Sequence, residues 1–170
     1  MKKVVLLVFI IFLSTLFFSI DFKLGVNAAA AASNPDGTEK LPCPGIDVNF
    51  SVPVDGISGF NISADLAMGK KASLFVSPGL YVTLYDGMKK FPTIELLLTP
   101  LGFFWDSLSD FSKFDLYGGM GFQVLAPVTE NLYFSGFAKS MLVFSDDYDL
   151  AEDTLPFNYF VGGLGFTWEF

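Results

Sequence analysis

Charged residues make up 16% of this sequence, and several of them alternate with apolar residues along the chain. A spacing of two places such residues on one face of an extended strand. The candidate polar network comprises Asp21, Lys23, Asp47, Asp65, Glu95, Asp115 and Lys139. Carboxylates outnumber lysines in this set, so when buried they are expected to be partly protonated or paired.

Catalysis is not expected from these residues. The chain contains no His, the side chain that most often serves as a general acid or base near neutral pH. A Ser nucleophile would have to rely on Lys or a carboxylate, and no spacing indicates such a pair. Zinc or haem ligation is implausible with one Cys and no His. We therefore predict a non-enzymatic protein without cofactor or metal.

Two glycine clusters and one acidic segment resemble ligand sites only superficially. The clusters at 118–121 and 162–165 lack the Gly-Lys-Ser/Thr ending of a phosphate-binding loop, so we interpret them as relieving crowding in curved strands. The segment 145–153 holds five carboxylates, and hard cations prefer oxygen ligands. Its spacing does not fit an EF-hand, which favours a solvated loop. Divalent bridging to anionic lipopolysaccharide is the alternative.

Composition narrows the class of protein further. Of the 170 residues, 52% are hydrophobic and 17% aromatic, the net charge is −8, and no Arg occurs. These values exclude a disordered tail and a basic nucleic-acid binder, and the length suits one domain. The lone Cys43 cannot form an internal disulfide and is not preceded by the small residues of a lipoprotein attachment site.

The N-terminus has the order of an export signal, because Lys2 and Lys3 precede the unbroken apolar run 4–13. A permanent membrane helix needs about 20 apolar residues, and hydroxyl residues interrupt this run too early. Two cleavage positions compete. The alanines at 28–32 offer the better local site, whereas a cut after Ser19 retains one more strand. From the strand count below, we favour 1–19 as signal peptide and 20–170 as the barrel domain.

Eight segments alternate apolar and polar residues, which predicts an all-β chain of antiparallel strands. Their approximate bounds are 18–27, 46–54, 60–68, 74–85, 91–104, 114–124, 132–144 and 157–170. The first and last connections, 28–45 and 145–156, are long, whereas the even-numbered connections contain turn residues such as Asp55-Gly56. An even strand number with loops and turns in alternation is typical of an eight-stranded up-and-down transmembrane β-barrel whose long loops face outside.

A soluble barrel would show the same alternation with its apolar face turned inward. The apolar face here is nearly free of charge along all eight strands, as a lipid-facing surface requires. Aromatic residues also gather at the strand ends and predict two interfacial girdles. They are Phe60, Tyr85, Phe91, Tyr133 and Trp168 near the turns, and Phe103, Phe104, Trp105, Phe111, Phe144, Phe157 and Tyr159 near the loops.

The last strand places an apolar residue or glycine at every second position up to the final residue. These positions are Phe160, Gly162, Leu164, Phe166, Trp168 and Phe170. The pattern resembles the C-terminal strand signature of bacterial outer-membrane β-barrels, which the barrel-assembly machinery recognises. The resemblance implies that the last three of these residues form an assembly signal.

The rest of the chain resembles the small eight-stranded outer-membrane proteins, represented by the OmpA membrane domain and OmpX, in length, strand count and loop alternation. Those proteins commonly use Arg in the lumen, whereas pairing in this chain has to use Lys23 and Lys139. An eight-stranded barrel is just wide enough to be filled by its own side chains, so we expect a plugged, hydrogen-bonded lumen.

The sequence therefore predicts a monomeric protein of the bacterial outer membrane with a structural or surface-interaction role. Its expected partners are outer-membrane lipid and the barrel-assembly machinery, and no nucleic acid. A narrow cation-preferring pore is the first alternative, because the inward polar face carries more carboxylates than lysines. A soluble secreted lipid-binding barrel is the second.

Overall fold

The chain folds as a closed, all-β antiparallel barrel of eight strands, which confirms the predicted fold class. The structure, a computed structural model, describes residues 21–33, 43–68, 72–105, 108, 114–144 and 159–170. Its strands are β1 Lys23–Ser33, β2 Cys43–Pro53, β3 Ser58–Met68, β4 Ala72–Tyr85, β5 Thr93–Trp105, β6 Asp115–Pro127, β7 Leu132–Phe144 and β8 Tyr159–Glu169. None of the described residues forms a helix long and apolar enough to cross a membrane.

Each strand pairs with its neighbours in sequence, and β1 closes the barrel by pairing with β8. The three described connections, 54–57, 86–92 and 128–131, lie at one end, which we call the turn end. The opposite end, where β1, β3, β5 and β7 end and β2, β4, β6 and β8 begin, is called the loop end. Hydrogen bonds in both directions between Phe22 and Phe170 extend the β1–β8 seam at the turn end.

Two prolines within strands coincide with irregular pairing. The β4–β5 register shifts between Val76 and Leu80, around Pro78, and the β5–β6 register shifts between Thr99 and Gly102, around Pro100. A proline cannot donate a ladder hydrogen bond, so a bulge or an irregularity is where a sheet accommodates it. The second shift also changes which residues of β5 face inward.

The first strand differs from its predicted bounds. The segment 18–27 was expected to form it, but β1 is Lys23–Ser33, and residues 18–20 lie outside the described residues. Ala28 pairs with Ile46 on one side and with Leu164 on the other, so the alanines at 28–32 belong to a strand. The predicted loop 28–45 is therefore wrong at both ends. A run of alanines carries no polar–apolar alternation, and only pairing on both sides fixes it as a strand.

Along the strands, side chains alternate between an apolar outer wall and a largely polar interior. Exposed outer-wall residues include Val48, Ile62, Leu80, Met120, Phe122 and Leu164. Buried polar residues include Asn27, Asp47, Asn49, Asn61, Asp65, Glu95, Gln123, Ser135, Lys139 and Thr167. The barrel thus has the opposite arrangement to a water-soluble one, whose apolar residues lie inside.

Three aromatic residues predicted for the outer girdles lie inside the barrel instead. Tyr133 is buried on the inward face of β7, and Tyr159 packs against the buried core. Phe104 is buried because the shift between Thr99 and Gly102 turns the even-numbered residues of β5 inward. The predicted girdle positions Phe111 and Phe157 lie outside the described residues.

Candidate functional site in the barrel lumen

The lumen near the loop end is filled by an aromatic layer formed by Phe75, Phe104, Tyr117 and Tyr159. The rings of Phe75 and Phe104 stack at 4.4 Å between centroids, and both lie within 5.2 Å of the Tyr159 ring. Tyr117 is fully buried, packs its ring edge-on to Phe75, and shares a hydrogen bond with the Ser77 hydroxyl. Buried Met141, Val143 and Val161 complete the packing. This layer closes the barrel toward the loop end.

Below the aromatic layer lies a central ion cluster of Lys139, Asp47 and Asp65. Lys139 Nζ donates hydrogen bonds to Asp47 Oδ2 at 2.9 Å, to both oxygens of Asp65 at 3.0 Å, and to Ser63 Oγ at 2.9 Å. Asp47 and Asp65 face each other across the β2–β3 ladder, and Lys139 reaches them from β7. All three side chains are at most 8% exposed, so the ion pairs are shielded from water.

Neutral side chains hold one carboxylate of this cluster in place. Asp47 Oδ1 accepts hydrogen bonds from Asn27 Nδ2 at 2.6 Å and from Asn49 Nδ2 at 3.0 Å. Ser135 Oγ in turn donates to Asn27 Oδ1 at 2.6 Å. The cluster therefore links β1, β2, β3 and β7 through buried, mutually supporting hydrogen bonds.

At the turn end the lumen widens into a cavity of about 420 Å³, which we call the turn-end chamber. The Lys23 ammonium lies 2.9 Å from Glu95 Oε1, and the Glu95 side chain is only 2% exposed. Glu169 Oε2 accepts a hydrogen bond from the Tyr133 hydroxyl at 2.8 Å and lies 3.4 Å from Lys89 Nζ. The chamber thus holds two ion pairs separate from the central ion cluster.

The seven candidate polar residues do not form one network. Asp47, Asp65 and Lys139 form the central ion cluster, and Lys23 and Glu95 pair at the turn-end chamber. Asp21 is exposed ahead of β1, and Asp115 begins β6 two residues nearer the loop end than Tyr117.

The residues proposed as an assembly signal, Phe166, Trp168 and Phe170, lie exposed on the outer wall. The acidic segment 145–153 lies outside the described residues. Asn27 and Ser135 were missed as parts of the polar network, although both occupy inward positions of their strands. Their odd-numbered positions, which alternate with the outward residues of the same strands, could have identified both.

The chemistry of the described lumen is that of paired charges. Its three most buried carboxylates, Asp47, Asp65 and Glu95, face two lysines, so one negative charge is in excess. Among the described residues, no group of three or more His, Cys, Asp or Glu side chains is arranged to hold a metal ion. The ion pairs join strands that lie far apart in the sequence.

Comparison with known proteins identifies the class of fold. No protein-family model matches the sequence, and no curated protein sequence matches it. Among solved structures, it resembles neisserial surface protein A with a TM-score of 0.60 and 10% identity, covering 89% of this chain and 97% of that one. OprG of Pseudomonas aeruginosa gives 0.56 and 13%, with 89% and 96% covered. Ail of Yersinia pestis, the attachment invasion locus protein, gives 0.53 and 13%, with 89% and 99% covered. The fold is that of the small eight-stranded outer-membrane β-barrels.

Proposed function

We propose that this protein is an integral barrel of the bacterial outer membrane with a structural or surface-interaction role and no catalytic activity. The observation that carries the proposal is the combination of an apolar outer wall with a lumen filled at the loop end by the aromatic layer. The loop end faces the outside and the turn end faces the periplasm, as in barrels of this class.

The outer wall supports a membrane location. Between the strand ends, the outward positions of the described strands carry no charged side chain. A Lys or Arg at the bilayer midplane costs about 2 to 4 kcal/mol, so a lipid-facing wall has to be uncharged. In water, the same wall would expose an apolar surface far larger than soluble monomers carry. We therefore place the soluble lipid-binding barrel last among the candidates.

The expected partners follow from this location. Outer-membrane lipid surrounds the wall, the barrel-assembly machinery recognises Phe166, Trp168 and Phe170, and the barrel is a monomer that binds no nucleic acid. Cleavage near Ser19 leaves all of β1 in the mature protein, whereas a cut within 28–32 removes at least half of that strand. The likeness to the OmpA membrane domain and OmpX belongs to this proposal as well.

The sealed lumen supports a plugged barrel over the narrow cation pore. An ion crossing from the turn end has to pass first the central ion cluster and then the aromatic layer, in which Phe75 and Tyr117 are at most 1% exposed. Moving an ion through close-packed rings without polar partners is unfavourable. We therefore expect no steady conductance.

Planar-bilayer recording tests this proposal. The purified wild-type barrel is expected to give no reproducible current steps. A Phe75→Ala/Phe104→Ala/Tyr117→Ala variant removes three rings of the aromatic layer and is expected to give steps. A matched control, Phe103→Ala/Phe114→Ala, removes rings that contact each other near the loop end without being buried in the lumen.

The control variant is expected to remain silent, because its substitutions leave the lumen packed. Wild-type steps whose size changes in Glu95→Ala or Asp65→Ala would contradict the plugged barrel and favour the cation pore. Heat-dependent gel mobility of each variant establishes that it is folded before it is recorded.

A further inference from the structure

The turn-end chamber has the size and lining of a small-molecule site. Its volume of about 420 Å³ lies within the usual range for ligand pockets. The rings of Tyr81 and Tyr133, together with Leu125, give it apolar walls, and Thr83 and Thr93 add hydroxyls. Because the aromatic layer closes the opposite end of the lumen, the turn end is the entrance.

One polar group that faces the chamber is the hydroxyl of Tyr81. Tyr81 is only 3% exposed and lines the chamber, and in the described part of the chain its hydroxyl has no hydrogen-bond partner. Its ring already contacts the Lys23 ammonium, which lies 5.5 Å from the ring centroid. The hydroxyl opens into the chamber and is therefore available to hydrogen-bond water or a ligand bound there.

Three carboxylates of the chamber keep an oxygen available for a ligand. The hydrogen bonds that Asp55 and Asp86 accept from described residues all go to Oδ1, and both partners of Glu169 contact Oε2. The two lysines that line the chamber, Lys23 and Lys89, are each paired with a carboxylate, Glu95 and Glu169, which leaves Asp55 and Asp86 without a lysine partner among the described residues. The lining therefore carries excess negative charge, and complementarity favours a positively charged guest.

We propose that the turn-end chamber binds a small organic cation of the primary amine or guanidinium class. Such a cation donates hydrogen bonds to Glu169 and Asp86, while the Tyr81 hydroxyl accepts one and Leu125 contacts its carbon atoms. A bare metal ion fits less well, because the described residues offer no group of three metal-ligating side chains and the chamber is much larger than an ion.

Tyrosine-labelled NMR of the folded barrel in detergent micelles tests the proposal, with methylguanidinium and butylammonium as probes. The ring signals of Tyr81 and Tyr133 are expected to shift in a saturable manner. Those of Tyr117 and Tyr159, in the aromatic layer, serve as internal controls and are expected to stay in place.

Charge-removing variants identify the contacts. Glu169→Gln and Asp86→Asn are each expected to weaken binding about two- to fivefold, the effect of one partly exposed ion pair. The control Asp115→Asn removes a carboxylate at the loop end and is expected to leave the affinity unchanged. If Glu169→Gln prevents folding, Asp86→Asn alone is sufficient.

Any of the following results would overturn the proposal: no saturable shift with either cation, equal shifts of the control tyrosines, tighter binding of acetate than of methylguanidinium, or an affinity insensitive to Asp86→Asn. A lysine-containing tetrapeptide that binds while butylammonium does not would also overturn it, in favour of a polypeptide partner. These outcomes are independent of bilayer conductance, so a failure here is distinguishable from a failure of the plugged barrel.

Discussion

Replacing Lys139 with Met should be among the most damaging single substitutions in the barrel. Lys139 Nζ donates to Asp47 and Asp65, and to Ser63, at 2.9–3.0 Å, and the Lys139 side chain is 8% exposed. Methionine fills a similar volume but leaves two carboxylates facing each other without a cation. Breaking a buried pair in this way costs about 3 to 5 kcal/mol.

Neutralising the two carboxylates as well distinguishes the contribution of charge to the stability loss from the contribution of packing. In the triple variant Lys139→Met/Asp47→Asn/Asp65→Asn, the amide introduced at position 47 keeps an oxygen that can still accept from Asn27 and Asn49. Replacement of a whole buried ion cluster is often close to neutral, so the triple variant should recover most of the lost stability. The control Lys89→Met removes a 59% exposed lysine and should cost less than about 1 kcal/mol.

Urea unfolding of the barrel in lipid vesicles measures these differences. With a slope of about 2 kcal/mol per molar urea, Lys139→Met should lower the midpoint by about 2 M, whereas Lys89→Met should barely move it. A Lys139→Met midpoint equal to that of Lys89→Met would refute the claim that the central ion cluster stabilises the barrel. A triple variant as unstable as the single one would show that packing, not charge, is responsible.

Three further predictions concern the turns, the seam and the lumen. Backbone hydrogen bonds from Ile57 and Ser58 hold the pKa of the Asp55 carboxyl below its usual value. The stability that Asp55→Ala removes is therefore present above about pH 4 and is lost as the pH falls further. The urea midpoints of the wild type and of Asp55→Ala should converge at that lower pH. Phe22→Ala removes a ring stacked on Phe170 at 4.9 Å and should cost at least about 1 kcal/mol, whereas Phe91→Ala, at an exposed turn position, should cost less. Thr167→Val should be neutral or slightly stabilising by the same measurement, because the buried Thr167 hydroxyl has no partner among the described residues.

Much of the barrel was predictable because strand parity is a local property. Alternation along each segment fixes which residues face inward, and Asp47, Asp65 and Lys139 were assigned to the lumen on that basis. The turn residues Asp55-Gly56 likewise predicted the connection between β2 and β3. It failed where the chain departs from a regular ladder, as at Phe104, whose parity depends on the register shift beside Pro100.

The division of the lumen into the aromatic layer, the central ion cluster and the turn-end chamber was not predictable from the sequence. Which inward residues meet across the barrel depends on the stagger of all eight strands, and no single segment contains that information. Lys139 and Asp47 lie 92 residues apart in sequence and form an ion pair only because closure of the barrel brings the inward faces of β7 and β2 to the same lumen. The aromatic layer likewise required residues from four strands to converge.

The most direct test of the proposed outer-membrane barrel is the gel mobility of the protein extracted from outer membranes, compared before and after boiling. A folded membrane barrel migrates differently before boiling, and the mass from the same sample is expected to correspond to a mature chain that begins near Ile20. A protein found in the soluble fraction, with no change of mobility on boiling, would contradict the membrane location.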